Sequence, residues 1–194
     1  LEDTNENIWI ASDKGIHRLQ TSTGKVIEMV STSQSPRHFG RFLSQDKNNR
    51  IWTSVVGKGI FVYNQQYELI QTYLTEETNL QIRYIYHDAK GYTWLGDRNS
   101  GLFRVLHLED TIVDYRQGRD STTLENDEIS FITEDQEGNL WIGPDGVLVR
   151  YDYENEHFHR YEHPNAQSYS SFAFDNSGKI WFGTYAGGGL VSVD

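Results

Sequence analysis

Three observations predict an all-β chain built from repeats of one four-stranded antiparallel unit. First, a nine-residue phrase with an aspartate six places before a tryptophan is written five times: DTNENIWIA, DKNNRIWTS, DAKGYTWLG, DQEGNLWIG and DNSGKIWFG. Second, the five tryptophans, Trp9, Trp52, Trp94, Trp141 and Trp181, are all the chain has. They stand 43, 42, 47 and 40 residues apart, each with its own aspartate: Asp3, Asp46, Asp88, Asp135 and Asp175. Third, the segments between phrases alternate apolar with polar residues and are broken by Gly, Asn and Asp, with nothing at helical period. Four-stranded units of 40–47 residues without helices are the pattern of a β-propeller, whose blades are twisted sheets packed face to face.

Residues 126–163 show one unit in full. EISFITE alternates and reads as a first strand. DQEG reads as a tight turn, because an Asp side chain accepts from backbone N–H groups two residues on and Gly138 supplies a left-handed position. NLWIG is a second strand, PDG a short turn, VLVRYD a third strand, YENE a turn and HFHRYEH a fourth. In every repeat Gly plus an aliphatic residue announces the third strand: Gly15-Ile16, Gly59-Ile60, Gly101-Leu102, Gly146-Val147 and Gly189-Leu190. The other fourth strands read KVIEMV, YELIQTYL and TIVDYR. In the first turn Gly91 and Gly178 match Gly138, and Asn49, which tolerates positive φ, replaces glycine in the second repeat. Glu6 stands there in the first repeat, so that turn must differ or lean on Asn5 or Asn7. The tryptophan, fixed on the second strand, reads as the wedge between adjacent blades.

The repeats run about 1–34, 35–78, 79–122, 123–165 and 166–194, together one propeller region. The first lacks its first strand and the last its fourth, so the sequence reads as part of a larger propeller, with seven blades favoured over a closed ring of five. A start at Leu1 rather than Met fits the same expectation.

Composition narrows the partners. A net charge of −11 with no basic cluster argues against nucleic acid and anionic membrane surfaces. No apolar run approaches the roughly 20 residues that span a bilayer, and no stretch reads as a signal peptide. Hydrophobic residues at 37% and aromatics at 13% favour a Tyr/Trp/Phe-rich β core. The absence of cysteine excludes disulfides and thiol chemistry.

The phrase D-x-x-G-x-[IL]-W-[IL]-G, followed by Gly-Leu or Gly-Ile and an aromatic-rich strand, resembles the two-component regulator propeller repeat. DQEGNLWIG with GVLVRYD, and DNSGKIWFGT with GGGLVSVD, match best, and DAKGYTWLGDRNSGLFRV is nearly as close. Departures fall at Thr93, at Asn49 and Thr53, and at Glu6 and Ala11. The resemblance implies the periplasmic sensor part of a bacterial inner-membrane protein, joined through a β-sandwich and a membrane helix to a histidine kinase or another signalling output. Many such propellers are linked to sensing oligosaccharides from polysaccharide breakdown. Sialidase-type Asp-boxes place one residue between Asp and Gly where this chain has two. Streptogramin lyase-like propellers share the phrase but with Trp-Phe-Thr, whereas Trp-Ile-Gly favours the regulator family.

Catalytic constellations are weak. His157 and His159 sit at i, i+2 with His163 close behind, yet no third metal ligand is placed and a polar outer strand accounts for them. Five evenly spread aspartates belong to turns rather than to a paired acid and base. DSTTLENDE, residues 120–128, lacks the alternation of a calcium loop and reads as a connection between blades. No nucleophile elbow occurs. The expectation is therefore a binding domain with no cofactor and no metal, a lyase- or hydrolase-type propeller enzyme being the alternative.

Connections from fourth to first strands and from second to third strands share one face of a propeller, around its channel mouth. The first set carries Arg37, His38, Gln81, Arg83, Asn126, Glu128 and Tyr169. The second carries Asp13, Lys14, Asp97, Arg98, Asn99, Asp145 and Tyr185. Polar forks with aromatic rings suit a sugar, whose hydroxyls need donors and acceptors and whose C–H face needs a ring. The expected partners are an oligosaccharide-like ligand, the rest of the propeller, a downstream signalling domain and a second copy in a homodimer.

Overall fold

The computed structural model describes residues 1–32, 37–75, 79–106, 111–116, 118, 122–124, 126–144, 147–161, 169–184 and 189–193. Of Tyr169, only the backbone is among them. The chain divides into two units, Leu1–His87 and Asp88–Asp194.

In the first unit, β1 (Ile8–Ser12), β2 (Gly15–Gln20) and β3 (Lys25–Ser31) form a three-stranded sheet in that order. A four-stranded sheet follows, of β4 (Gly40–Gln45), β5 (Ile51–Val55), β6 (Gly59–Tyr63) and β7 (Leu69–Tyr73), and β8 (Ile82–His87) ends the unit. In the second unit, β9 (Tyr92–Asp97), β10 (Leu102–Leu106) and β11 (Ile112–Tyr115) are joined in sequence as antiparallel neighbours. A four-stranded sheet of β12 (Ile129–Glu134), β13 (Leu140–Pro144), β14 (Leu148–Asp152) and β15 (His157–Tyr161) comes next. The last sheet is β16 (Tyr169–Phe174), β17 (Ile180–Thr184) and β18 (Leu190–Val193). The expected all-β repeat is therefore present, strand by strand. Among the described residues no helix forms, and none is long and apolar enough to cross a membrane.

Each phrase folds as one clamp. The aspartate N–H bonds the carbonyl four residues on (Asn7, Arg50, Tyr92, Asn139 or Lys179), at 2.9–3.1 Å. The residue three on returns its N–H to the aspartate carbonyl. That residue needs positive φ, and it has it: 62° at Glu6, 60° at Asn49, 98° at Gly91, 79° at Gly138 and 86° at Gly178. Glu6 thus keeps the same turn rather than a different one, accepting a left-handed conformation that is unfavourable with a Cβ. The turn does lean on Asn5 and Asn7, whose N–H groups donate to Asp3 Oδ1 at 2.9 and 3.0 Å.

The glycine before each third strand has a different cause. At Gly15, Gly59 and Gly101 an added Cβ would lie 1.9, 2.3 and 2.3 Å from the carbonyl oxygens of Val30, Tyr73 and Tyr115 in the adjoining fourth strand. Gly59→Ala is expected to lower unfolding free energy by about 3 kcal/mol, combining positive φ with backbone collision. Gly24→Ala shares the positive φ but meets nothing within 4 Å, and should lower it by about 1 kcal/mol. Urea titrations of both variants test this; equal losses would remove the collision from the account.

Trp9, Trp52, Trp94 and Trp141 take the wedge position. Trp9 packs with Ile16 and Val30 of its own sheet and Ile51, Val55 and Tyr63 of the next. Trp141 packs with Leu148 on its own sheet and with Ile180, Phe182 and Val191 on the next. Trp52 stacks on Tyr73, centroids 5.8 Å apart and planes 2° apart, with His87 at 5.4 Å. Trp94 meets Tyr151 edge-on at 5.0 Å.

Candidate ligand-binding site

The five aspartates can be set aside as catalytic groups on geometry. Their Oδ2 atoms accept from the indole N–H of their own tryptophan: 2.9 Å at Asp3, 2.9 at Asp46, 2.8 at Asp88, 2.8 at Asp135 and 2.9 at Asp175. Burial pushes the Asp46 carboxyl up, but Trp52 and Arg50 outweigh it and hold it below its usual value. At Asp135 the same contest is won by Trp141 and Asn139. The Ser177 hydroxyl and then Trp181 hold Asp175 well below the usual carboxylate range. Asp46, Asp135 and Asp175 are thereby held as ionised acceptors rather than poised to exchange a proton as a general acid does.

In the first unit the two kinds of connection do meet. The β1–β2 loop is held against the end of β3, Thr32 Oγ1 donating to the Asp13 carbonyl at 2.9 Å. The connection into β4 is held to the β5–β6 loop by the Val56 N–H on the Phe39 carbonyl at 2.9 Å. Lys58 Nζ donates to the Ser31 carbonyl at 2.6 Å. Between these segments lies an open bowl of about 350 Å³ lined by Ser12, Asp13, His38, Phe39, Gly40 and Arg41.

Two backbone features build the bowl. An added Cβ at Gly40 would stand 2.5 Å from the Gly15 carbonyl and 2.8 Å from the Ile16 side chain, so only glycine lets β4 approach β2 there. Pairing of β4 with β5 then slips between Gly40 and Phe42, a bulge at Arg41. Bulges re-aim a side chain that strict alternation would place elsewhere. The same slip recurs between Ile129 and Phe131 and between Tyr169 and Ser171, so it belongs to the repeat. The bowl presents a carboxylate, an imidazole, a guanidinium and a hydroxyl beside one aromatic ring. That set can donate to, accept from and stack on a polyhydroxylated ring.

Of the residues expected from sequence, His38 and Asp13 line the bowl, and Arg37, next in the chain, is exposed. Gln81 and Arg83 are half-buried at the entry to β8. In the second unit Asp97 is fully buried, its Oδ1 accepting from Asn99 and Ser100 N–H at 2.8 and 2.9 Å. It shapes the loop from which exposed Arg98 and Asn99 project. Asn126 Oδ1 accepts from the Glu128 N–H at 2.9 Å, beside the Asp127 carbonyl that accepts from Gly101 N–H. Tyr185, Asp145, His163 and the Tyr169 side chain lie outside the described residues. Sequence reasoning missed Phe39 and Arg41; the glycine between them, just ahead of an alternating strand, was the available signal. Among the described residues no group of three or more His, Cys, Asp or Glu could hold a metal ion. His159 Nε2 instead lies 3.5 Å from Asp152 Oδ2 on the exposed side of β15.

Comparison with known proteins bears on the repeat and the fold. Residues 123–146 and 163–186 match the family model described as two component regulator propeller. The extracellular domain of a hybrid two-component system from B. thetaiotaomicron superposes with a TM-score of 0.72 at 26% identity, over 98% of this chain and 26% of that one. A second such extracellular domain from the same organism gives 0.52 at 24% identity, over 100% and 34% of the two chains. A catalytically inactive virginiamycin B lyase from Staphylococcus aureus, crystallised with quinupristin, gives 0.69 at 13% identity, over 99% and 67%. At that identity the lyase speaks for the fold alone. No curated protein matches the sequence. The chain thus spans about a quarter of the extracellular domain it resembles at 26% identity.

Proposed function

We propose that this chain, whose residues 123–146 and 163–186 match the two-component regulator propeller model, is the ligand-sensing propeller of a bacterial two-component signalling protein, lies in the periplasm, and recognises an oligosaccharide-like ligand on its loop face. The observation that carries the reading is the bowl whose lining includes Asp13, His38, Phe39 and Arg41. A guanidinium and a carboxylate can bridge adjacent hydroxyls, and an aromatic ring stacks on the C–H face of a sugar. Loops set on a rigid sheet are where recognition residues concentrate. Binding would be passed to the signalling domain of the whole protein, a histidine kinase in the family, through the rest of the propeller or through a dimer.

Calorimetry of the chain against a panel of plant and host oligosaccharides, with parallel assay for new reducing ends, tests this. Saturable binding without turnover is expected, weakened about tenfold or more by Arg41→Ala or Phe39→Ala. Turnover that disappears in His38→Ala would instead establish the lyase-type reading. Binding that is unchanged in all three variants would move the site off this bowl.

A further inference from the structure

Charge is divided unevenly along the chain. Leu1–His87 holds nine Lys and Arg against nine Asp and Glu, and Asp88–Asp194 holds eight against nineteen, so the net −11 belongs to the second unit. In the first unit cations gather around the bowl. Arg41 lines it, Arg37 precedes its His38, and Lys14 follows its Asp13. Lys58 joins the same rim, its ammonium held on the Ser31 carbonyl at 2.6 Å. Asp13 is the one carboxylate of the lining.

These charges are not spent within the fold. Arg50, Arg104 and Arg116 are taken up by Asp46, Glu156 and Asp114, at 2.6–2.8 Å. By contrast the side chains of Lys14, Arg37, Arg41 and Asp13 are exposed and form no hydrogen bond or ion pair among the described residues. The repeat does not demand this charge either. At the bulge where the second repeat has Arg41, the fourth and fifth have Ser130 and Ser170. Ahead of it, where the second repeat reads Arg37-His38-Phe39, the fourth reads Asn126-Asp127-Glu128. Unpaired like charges crowded on one concave surface repel each other, and an anionic ligand relieves that repulsion.

We propose, resting on the reading of the bowl as an oligosaccharide site, that its ligand is an acidic saccharide. Arg41 takes the carboxylate or sulfate oxygens, since a planar guanidinium fork matches two oxygens of either group. Asp13 accepts from a neighbouring sugar hydroxyl, and Phe39 covers the C–H face. Lys14, Arg37 and Lys58 act at longer range, drawing the anion to the bowl. A neutral saccharide would find the same hydroxyl and ring contacts but leave the cations unanswered.

Calorimetry of the chain against short galacturonate, glucuronate and mannuronate oligomers, each beside its methyl ester, and against sulfated galactose oligomers beside their desulfated forms, tests this. An acidic member should bind about tenfold or more tighter than its neutral form, the worth of a charge-assisted contact. Raising NaCl from about 0.05 to 0.5 M should weaken the acidic form and leave the neutral one nearly unchanged, because salt screens exposed charges. In Arg41→Gln the acidic form should lose about tenfold and the neutral form less than about threefold, while Arg41→Lys keeps the preference in reduced form. The uronate and sulfate arms decide which oxyanion the bowl takes. Neutral forms that bind as tightly as acidic ones, with binding lost in Phe39→Ala, would overturn the acidic class and leave the oligosaccharide reading standing. An acidic preference that survives Arg41→Gln undiminished would place the anion elsewhere and overturn it as well. No binding of any saccharide, acidic or neutral, would sink both readings together.

Discussion

Trp94→Ala is expected to lower the unfolding free energy by about 4 kcal/mol, the upper range for truncating a buried aromatic side chain. Trp94 is 0% exposed, so the whole indole volume becomes cavity or collapse. Its ring stacks on Tyr115 at 6.0 Å and takes the edges of Tyr151 and Tyr153 at 5.0 and 6.4 Å. Its N–H also satisfies one oxygen of Asp88, itself buried. Trp94→Phe keeps most of the ring but loses that donor, and should lower stability by about 2 kcal/mol. Trp181→Ala is the control, because Trp181 is only half-buried on the last sheet and should lose clearly less. Urea unfolding followed by circular dichroism measures all three. Equal losses for Trp94→Ala and Trp181→Ala would mean that the wedge does not carry the stability argued for it.

The same tryptophan shows what the sequence makes legible. A spacing of six between Asp and Trp does more than mark a repeat. The turn pairs the aspartate with the residue four on, so the residue six on lies two further along the returning strand, on the same face. An indole donor and a carboxylate acceptor at that spacing are therefore bound to meet, as they do in all five phrases. Periodicity carried the strands for a similar reason, since each repeat writes its turn residues at fixed offsets. Glu6 was harder, because the hydrogen bonds of the phrase around Asp3 outvote one residue's reluctance to take positive φ. The site was legible only by its loops. Asp13 and His38 follow from knowing which connections share a face. Arg41 is harder, because a bulge interrupts alternation along β4 and only Gly40 beside it hints at the irregularity. Asp97 misled in the other direction: an aspartate two and three residues ahead of free N–H groups closes its own loop first.

Alkaline destabilisation is the second large effect expected, and it follows from phenols held in the core. Burial pushes Tyr63 up to about 12. Burial, then the hydrogen bond with Tyr151, raises Tyr115; burial raises Tyr151; burial, then the Asp88 charge, raises Tyr153. An unfolded tyrosine ionises near pH 10. Below that value both states keep their protons and the stability these groups contribute is fully present. Above it the unfolded chain releases protons that the folded chain retains, so stability falls with rising pH. For Tyr63 the fall is complete once pH passes about 12, a loss on the order of 2–3 kcal/mol. The other three continue the decline, so the chain should unfold cooperatively within the alkaline range, its buried phenols ionising only as it does. Urea midpoints at intervals from pH 8 to 11, with the phenolate absorbance recorded alongside, measure both parts. Tyr63→Phe isolates one share. It gives up a 3.1 Å hydrogen bond to the Met29 carbonyl at neutral pH, about 1 kcal/mol, but should lose stability less steeply above pH 10. A midpoint that is flat to pH 11, or a Tyr63→Phe slope identical to the parent, would show that these phenols reach solvent in the folded state, and the packing of Tyr63 against Trp9 at 5.5 Å would have to be looser than described.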